Sequence, residues 1–105
     1  MEKIKSGVSY KPKAENSIFQ IYCYIAIRGN PERAETFYNE LYDFGNSLAD
    51  FPNTYPVCKQ PQLAKRNMRC AIFHKNYIFV YKIVKNSLTI FNVIHCKTNS
   101  TLYSC

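Results

Sequence analysis

The second half of the chain contains no acidic residue. The sequence has 105 residues, and its seven acidic side chains all lie at or before Asp50. A carboxylate pair for acid and base catalysis is thus excluded from the second half, and the earlier acids stand at helical spacing that suits solvated faces. Eight basic residues follow position 51: Lys59, Lys65, Arg66, Arg69, Lys75, Lys82, Lys85 and Lys97.

Such an unbalanced run of basic residues predicts a positive potential over the surface that they form. Nucleic acid or an acidic protein is the expected partner of that surface. The alternative is that these are ordinary solvated charges.

Long apolar runs are also absent, and none approaches the roughly 20 residues that a membrane-spanning helix needs. The first five residues lack the apolar stretch of a secretory signal. We therefore expect a cytoplasmic protein with no membrane partner. We also expect a single domain over residues 1–105, because this length suffices for one hydrophobic core but not for two.

The cysteines form no Cys-x-x-Cys pair and are odd in number. They are Cys23, Cys58, Cys70, Cys96 and Cys105. This pattern fits neither a disulfide framework nor a zinc ribbon, so we expect reduced, mostly buried thiols. The two histidines, His74 and His95, have no second ligand at zinc spacing, so no metal or cofactor is predicted. The sequence gives only weak evidence for a catalytic pair of Cys96 as nucleophile and His95 as base, because adjacent residues on a strand point to opposite faces of the sheet.

Apolar residues recur at helical spacing in two stretches. The first predicts a helix over residues 13–28 that ends at Gly29. In the next stretch, Asn30 supplies a cap and Pro31 a favourable first position for a second helix, which ends near residue 50. Gly45 could bend or shorten its last turns. The tight connection predicts an antiparallel helix hairpin.

Three β-rich runs follow a loop over residues 51–67 that could hold a short turn of helix. The runs cover residues 68–74, 77–84 and 87–95, and the asparagines of Lys75-Asn76 and Lys85-Asn86 suit the positive φ of tight turns. We predict a three-stranded antiparallel meander whose middle strand is apolar on both faces. A short strand near residues 7–10 could join the sheet edge. The predicted fold is α+β, with a helix hairpin packed on a small antiparallel sheet in the order β–α–α–β–β–β.

Basic and aromatic groups flank the predicted sheet and are the candidate binding residues. We expect them to converge on one sheet edge, where cations would neutralise phosphates and a ring could stack on a base or move a proton. The alternative is that Tyr103 docks the tail on the core and His95 is a polar strand end. The candidates are Lys65, Arg66, Arg69, His95, Lys97 and Tyr103.

Several segments together resemble the RelE/ParE superfamily of bacterial type II toxins. The match runs in order from about residue 8 to 99. The segments are Tyr10-Lys11-Pro12-Lys13-Ala14, Gly29-Asn30-Pro31-Glu32-Arg33-Ala34, Phe51-Pro52, Arg69, Asn76-Tyr77-Ile78-Phe79-Val80-Tyr81 and Val93-Ile94-His95. The family fold, a helix hairpin on a small antiparallel sheet, is the one predicted above.

The resemblance implies one of two activities, since the RelE-like branch cuts messenger RNA on the ribosome and the ParE-like branch poisons DNA gyrase. The basic positions of the RelE-like branch match Arg69 and Lys97, and its carboxy-terminal tyrosine matches Tyr103. Two further basic positions fall on Ala71 and Ile78. Losing two cations should remove much of the charge that stabilises the transition state of RNA cleavage.

The helix start and the Val-Ile-His ending favour the ParE-like branch, although Cys96 and Lys97 stand where members often have glycine and arginine. A ParE-like chain would not be an enzyme, and it would act on DNA gyrase and be neutralised by a cognate antitoxin. The alternative is a ribosome-dependent endoribonuclease that uses Arg69, Lys97 and Tyr103 on messenger RNA. A third reading is a degenerate, non-toxic binding member.

Overall fold

Two helices lie on one face of a four-stranded sheet. The structure is a computed structural model that describes residues 7–95. It confirms the predicted α+β fold and the order β–α–α–β–β–β, with one short extra helix in the loop. The elements are β1 (Val8–Tyr10), α1 (Pro12–Ile27), α2 (Pro31–Ser47), α3 (Pro61–Lys65), β2 (Arg69–Phe73), β3 (Tyr77–Val84) and β4 (Ser87–His95).

The sheet has the strand order β1-β4-β3-β2. Strand β3 pairs antiparallel with both β2 and β4, as predicted for the middle strand of a meander. Strand β1 adds to the edge of β4 in parallel, with Tyr10 opposite Ile90, so the sheet is mixed and not wholly antiparallel as predicted. The loop before α3 lengthens the other edge through an antiparallel bridge between Val57 and Arg69.

Capping explains where the helices begin. The side chain of Asn30 accepts a hydrogen bond of 3.1 Å from the backbone N–H of Arg33, and Pro31 occupies the first turn of α2. Gly29 ends the preceding helix with φ +96°, a left-handed conformation that glycine adopts without strain. Helix α1 begins one residue earlier than predicted, and α2 ends at Ser47, three residues before the predicted end.

Gly45 allows close packing between α2 and the sheet. A Cβ atom added there would lie 2.9 Å from Cδ1 of Ile90 and would also meet the hydroxyl of Tyr10. That hydroxyl shares its one proton between the carboxamide oxygen of Asn46 at 2.8 Å and the backbone carbonyl of Tyr42 at 3.2 Å. The helix continues for two residues past Gly45. The glycine is therefore required by the approach of Tyr10.

The two hairpin turns differ from each other. In the second, Lys85 and Asn86 have φ of 49° and 62°, as expected for a two-residue turn. In the first, His74 and Lys75 have positive φ (51° and 64°), so the left-handed conformation expected at Asn76 is wrong. The reason is the register, because pairing of residues 73 and 77 leaves a three-residue loop.

The sheet buries apolar side chains on both faces. Phe79 and Tyr81 of β3 point towards the helices, whereas Ile78 and Val80 point to the opposite face. This confirms that the middle strand is apolar on both sides. The helix-side core comprises Ala14, Ile18, Leu41, Leu48, Ala71, Phe79, Tyr81, Leu88, Ile90 and Val93. The smaller cluster on the other face comprises Cys58, Met68, Ile78, Val80 and Ile94.

Cys58 and Cys70 form a disulfide, so the expectation of reduced thiols is wrong for these two residues. The loop before α3 folds back along β2, where the N–H of Cys58 donates to the carbonyl of Met68 at 2.8 Å and the N–H of Cys70 to that of Pro56 at 3.1 Å. This backbone pairing brings the two Cα atoms to 5.0 Å, within disulfide range. Cys23 is a free thiol, and the other two cysteines lie outside the described residues.

Candidate partner-binding site

Charge is divided between the two faces of the sheet. Within residues 7–95, every acidic side chain belongs to α1, to α2 or to the turn that follows α2. The loop that covers the opposite face carries the exposed side chains of Lys59, Lys65 and Arg66. The sheet thus separates an acid-rich helical layer from a surface that carries these three cations.

Lys65 and Arg66 lie at the carboxy-terminal end of α3, above the smaller apolar cluster. Leu63 of the same helix packs against that cluster and anchors α3 to the sheet. The N–H of Arg66 donates to the carbonyl of Leu63 at 3.1 Å, which fixes the backbone from which the guanidinium extends. That guanidinium lies 5.7 Å from the ring centroid of Phe91 on β4.

Arg69 lies on the helical side of the sheet, away from Arg66. Arg69 shares one face of β2 with Ala71 and Phe73, which both belong to the helix-side core. Its Nη1 donates to the backbone carbonyl of Tyr55. The hydroxyl of the neighbouring Tyr81 donates to the carbonyl of Pro52 at 2.8 Å. Arg69 therefore holds the loop that follows α2.

His95 lies at the end of β4, beside a cleft of about 380 Å³ between α1 and β4. Its ring centroid is 4.9 Å from that of Tyr77, its partner across the strand pair. Arg69 pairs with Tyr81, four residues further along β3, which corresponds to about 13 Å along the strand. The structure therefore does not bring Arg69 and His95 together at one edge.

The structure does not describe the last two candidate residues. Lys97 and Tyr103 lie outside the described residues. Ala71 and Ile78, which occupy the other two basic positions of the RelE-like branch, are 0% and 1% exposed. Neither position offers a side chain to a substrate.

Sequence reasoning missed Phe91, which lies in a bulge of β4. The register of the pair changes between residues 80 and 81 of β3, which leaves Phe91 without a partner across the strands. Its half-buried ring packs against the smaller apolar cluster. An alternating strand pattern does not reveal where a bulge falls, so the sequence carried no signal for this position.

Buried tyrosine hydroxyls predict a loss of stability in alkali. Burial raises the pKa of Tyr81 to about 12, with Arg69 opposing the shift, and also raises the pKa of Tyr42 to about 12. Since an unfolded tyrosine titrates near 10, these groups favour the folded state fully below about pH 10, and this contribution is lost as pH rises to about 12.

Urea unfolding followed by circular dichroism from pH 8 to pH 12 measures this loss. The free energy of unfolding is expected to stay level to about pH 10 and then to fall. Tyr81→Phe should start lower, because it loses the hydrogen bond to Pro52, but should fall less steeply. Equal slopes for the two proteins would contradict the assignment to Tyr81.

Residues 7–95 contain neither a cluster of metal-binding side chains nor a membrane-spanning helix. Within that range, no three His, Cys, Asp or Glu side chains are grouped so that they could hold a metal ion. No helix in the described part of the chain has the length and apolar character needed to cross a membrane.

Comparison with known proteins agrees with the fold. No curated protein matches the chain significantly. The solved structure of a "chromosomal ParDE TA system from P. aeruginosa" superposes with a TM-score of 0.72 at 13% identity, over 85% of this chain and 94% of that one. A family model described as "ParE toxin of type II toxin-antitoxin system, parDE" matches residues 8–99. Because that match covers most of the chain, the chain belongs to the ParE toxin family of type II toxin–antitoxin systems.

Proposed function

We propose that this chain is the toxin of a type II toxin–antitoxin pair, that it acts on DNA gyrase, and that a cognate antitoxin neutralises it. The observation that carries the proposal is the family match over residues 8–99. The similar structure from P. aeruginosa is described as a ParDE system, which supports a protein antitoxin as the partner here.

The division of charge between the two faces of the sheet supports neutralisation by an antitoxin segment that binds the basic surface. The helical layer carries the acids, and the surface around α3 carries Lys59, Lys65 and Arg66 without a nearby acid in the sequence. An acidic or amphipathic antitoxin segment would be attracted to this basic surface, and the attraction would be weakened by salt.

The geometry supports a binding toxin over a ribonuclease. RNA cleavage through the 2′-hydroxyl needs a proton acceptor, a proton donor and cations around the phosphorane. Arg69 is engaged by the carbonyl of Tyr55, and the apolar side chains of Ala71 and Ile78 are buried. Two of these three positions therefore provide no cation, and at the third the Nη1 atom of Arg69 is already hydrogen-bonded within the chain.

A supercoiling assay with purified gyrase tests the proposal. We expect the purified, folded chain to inhibit supercoiling, and Lys65→Gln/Arg66→Gln to weaken the inhibition. Lys75→Gln/Lys85→Gln is the matched control, because it removes the same charge from exposed hairpin turns. Unchanged supercoiling over a wide concentration range of folded protein would contradict the gyrase target.

Pulse labelling after induction in a bacterial host separates the alternatives. Early loss of thymidine incorporation is the expected result. Early loss of methionine incorporation would instead favour messenger RNA cleavage. If neither falls, the chain is a non-toxic binding member.

A further inference from the structure

Two cations from distant parts of the chain meet at one aromatic ring. The Nζ atom of Lys11 lies 5.6 Å from the ring centroid of Phe91, and the guanidinium of Arg66 lies 5.7 Å from it. Both distances are within the range of a cation–π contact. Phe91 is half-buried, so part of this group of three side chains is open to solvent.

The backbone fixes each member of the group. The N–H of Lys11 donates to the carbonyl of Ile90 at 2.9 Å, directly beside Phe91. The loop that carries Arg66 is closed by the Cys58–Cys70 disulfide. The backbone positions from which the two cationic side chains extend are therefore fixed beside the ring, which limits the conformational entropy lost when they bind a ligand.

The surrounding charge favours an anion. Within residues 7–95, neither Lys11 nor Arg66 takes part in an ion pair, and Glu15, one helical turn after Lys11, forms none with it. Lys82 lies on the same side of β3 as Ile78 and Val80 and adds a further positive charge to this face. We call the surface formed by Lys11, Lys65, Arg66, Lys82 and Phe91 the Phe91 face.

We propose that the Phe91 face binds single-stranded nucleic acid. The cations would neutralise phosphates of the backbone, and the Arg66 guanidinium and Phe91 ring would form a platform on which a base stacks. An aromatic ring among cations favours single-stranded nucleic acid over an acidic peptide, because a base can stack on the ring whereas a carboxylate side chain cannot. Lys65 and Arg66 also belong to the basic surface proposed above for the antitoxin and for gyrase inhibition, whereas Lys11 and Phe91 belong to this proposal alone, and its test needs neither gyrase nor antitoxin.

Fluorescence anisotropy with a labelled 20-nucleotide oligothymidine tests the proposal without gyrase. Binding is expected to weaken with salt, since cations displace counterions from the strand. Lys11→Gln and Arg66→Gln should each weaken binding and lower the salt slope by roughly 1. Phe91→Leu should weaken binding about 5-fold or more with an unchanged slope, because it removes stacking and no charge.

Arg28→Gln is the matched control. It also removes a cation and a cation–π contact, since the guanidinium of Arg28 lies 4.4 Å from the ring centroid of Tyr24. Arg28 follows the far end of α1, about 26 Å from Lys11 along the helix axis. The Arg28→Gln variant should bind the oligonucleotide with the affinity and salt slope of the parent chain. Circular dichroism should show that all four variants are folded.

Three outcomes would overturn the proposal. One is the absence of binding at about 50 mM salt, where phosphate contacts are strong. Another is an effect of Arg28→Gln equal to that of Arg66→Gln, which would indicate a general charge effect. The third is competition by a 20-residue polyglutamate peptide, or by a duplex, as strong as that by the single strand, which would assign the face to an acidic protein or to duplex DNA.

Discussion

Reduction of the Cys58–Cys70 disulfide is expected to lower the free energy of unfolding by about 3 kcal/mol. The disulfide joins residues separated by 12 positions. In the chain-entropy account, a closed loop of that length restricts the unfolded chain by this amount. For a domain whose total stability lies in the range of about 5–15 kcal/mol, the loss is large.

Urea unfolding with and without a phosphine reductant measures the effect. The parent chain should lose stability on reduction, whereas Cys58→Ser/Cys70→Ser should start low and not respond. Cys23→Ser should respond like the parent, because the thiol of Cys23 is free. Equal unfolding midpoints for the parent chain in both conditions would contradict a stabilising role for the disulfide.

The disulfide also shows what the sequence could not predict. Cys58 lies in an irregular loop and Cys70 on a strand, and their contact depends on the loop folding back along β2. Such a contact has no periodic signal, unlike the apolar spacing that predicted both long helices. The expectation of a reducing location further weighed against a pair, since cytosolic disulfides are rare.

The strands, like the two long helices, were predicted well because their apolar residues recur with a regular period. Alternation and asparagine turns placed β3 and β4 at their observed bounds, and the middle strand's apolar character on both faces matched its central position. The first turn was misplaced because its length depends on the register of the strand pair, which local composition does not specify.

The candidate site was only partly predictable. Lys65 and Arg66 were predicted to lie in a loop before the first hairpin strand, where Lys65 ends α3 and Arg66 follows it. The face of the sheet that they occupy follows from the packing of Leu63 against the smaller cluster. Arg69 is close to Arg66 in sequence and yet points to the other face, because strand residues alternate. Phe91 required knowledge of the bulge.

Replacing Phe79 with alanine is expected to cost about 3–5 kcal/mol, the largest effect of any single change considered. The side chain is 0% exposed, at the centre of the middle strand. Its ring centroid lies 5.0 Å from that of Phe44 on α2 and 6.2 Å from that of Phe73 on β2. Truncation would leave a cavity where helix and sheet meet, and would also remove the edge-to-face ring contacts.

In urea unfolding, Phe79→Leu separates the cost of the cavity from the loss of the ring contacts, and Phe19→Ala is the control at an exposed ring. Phe79→Leu keeps most of the buried volume and should cost less than about 1.5 kcal/mol beyond the lost ring contacts. Phe19→Ala, at a ring on α1 that is 54% exposed, should change stability by no more than about 0.5 kcal/mol. If Phe79→Ala cost as little as Phe19→Ala, the helix hairpin would not be held by this cluster.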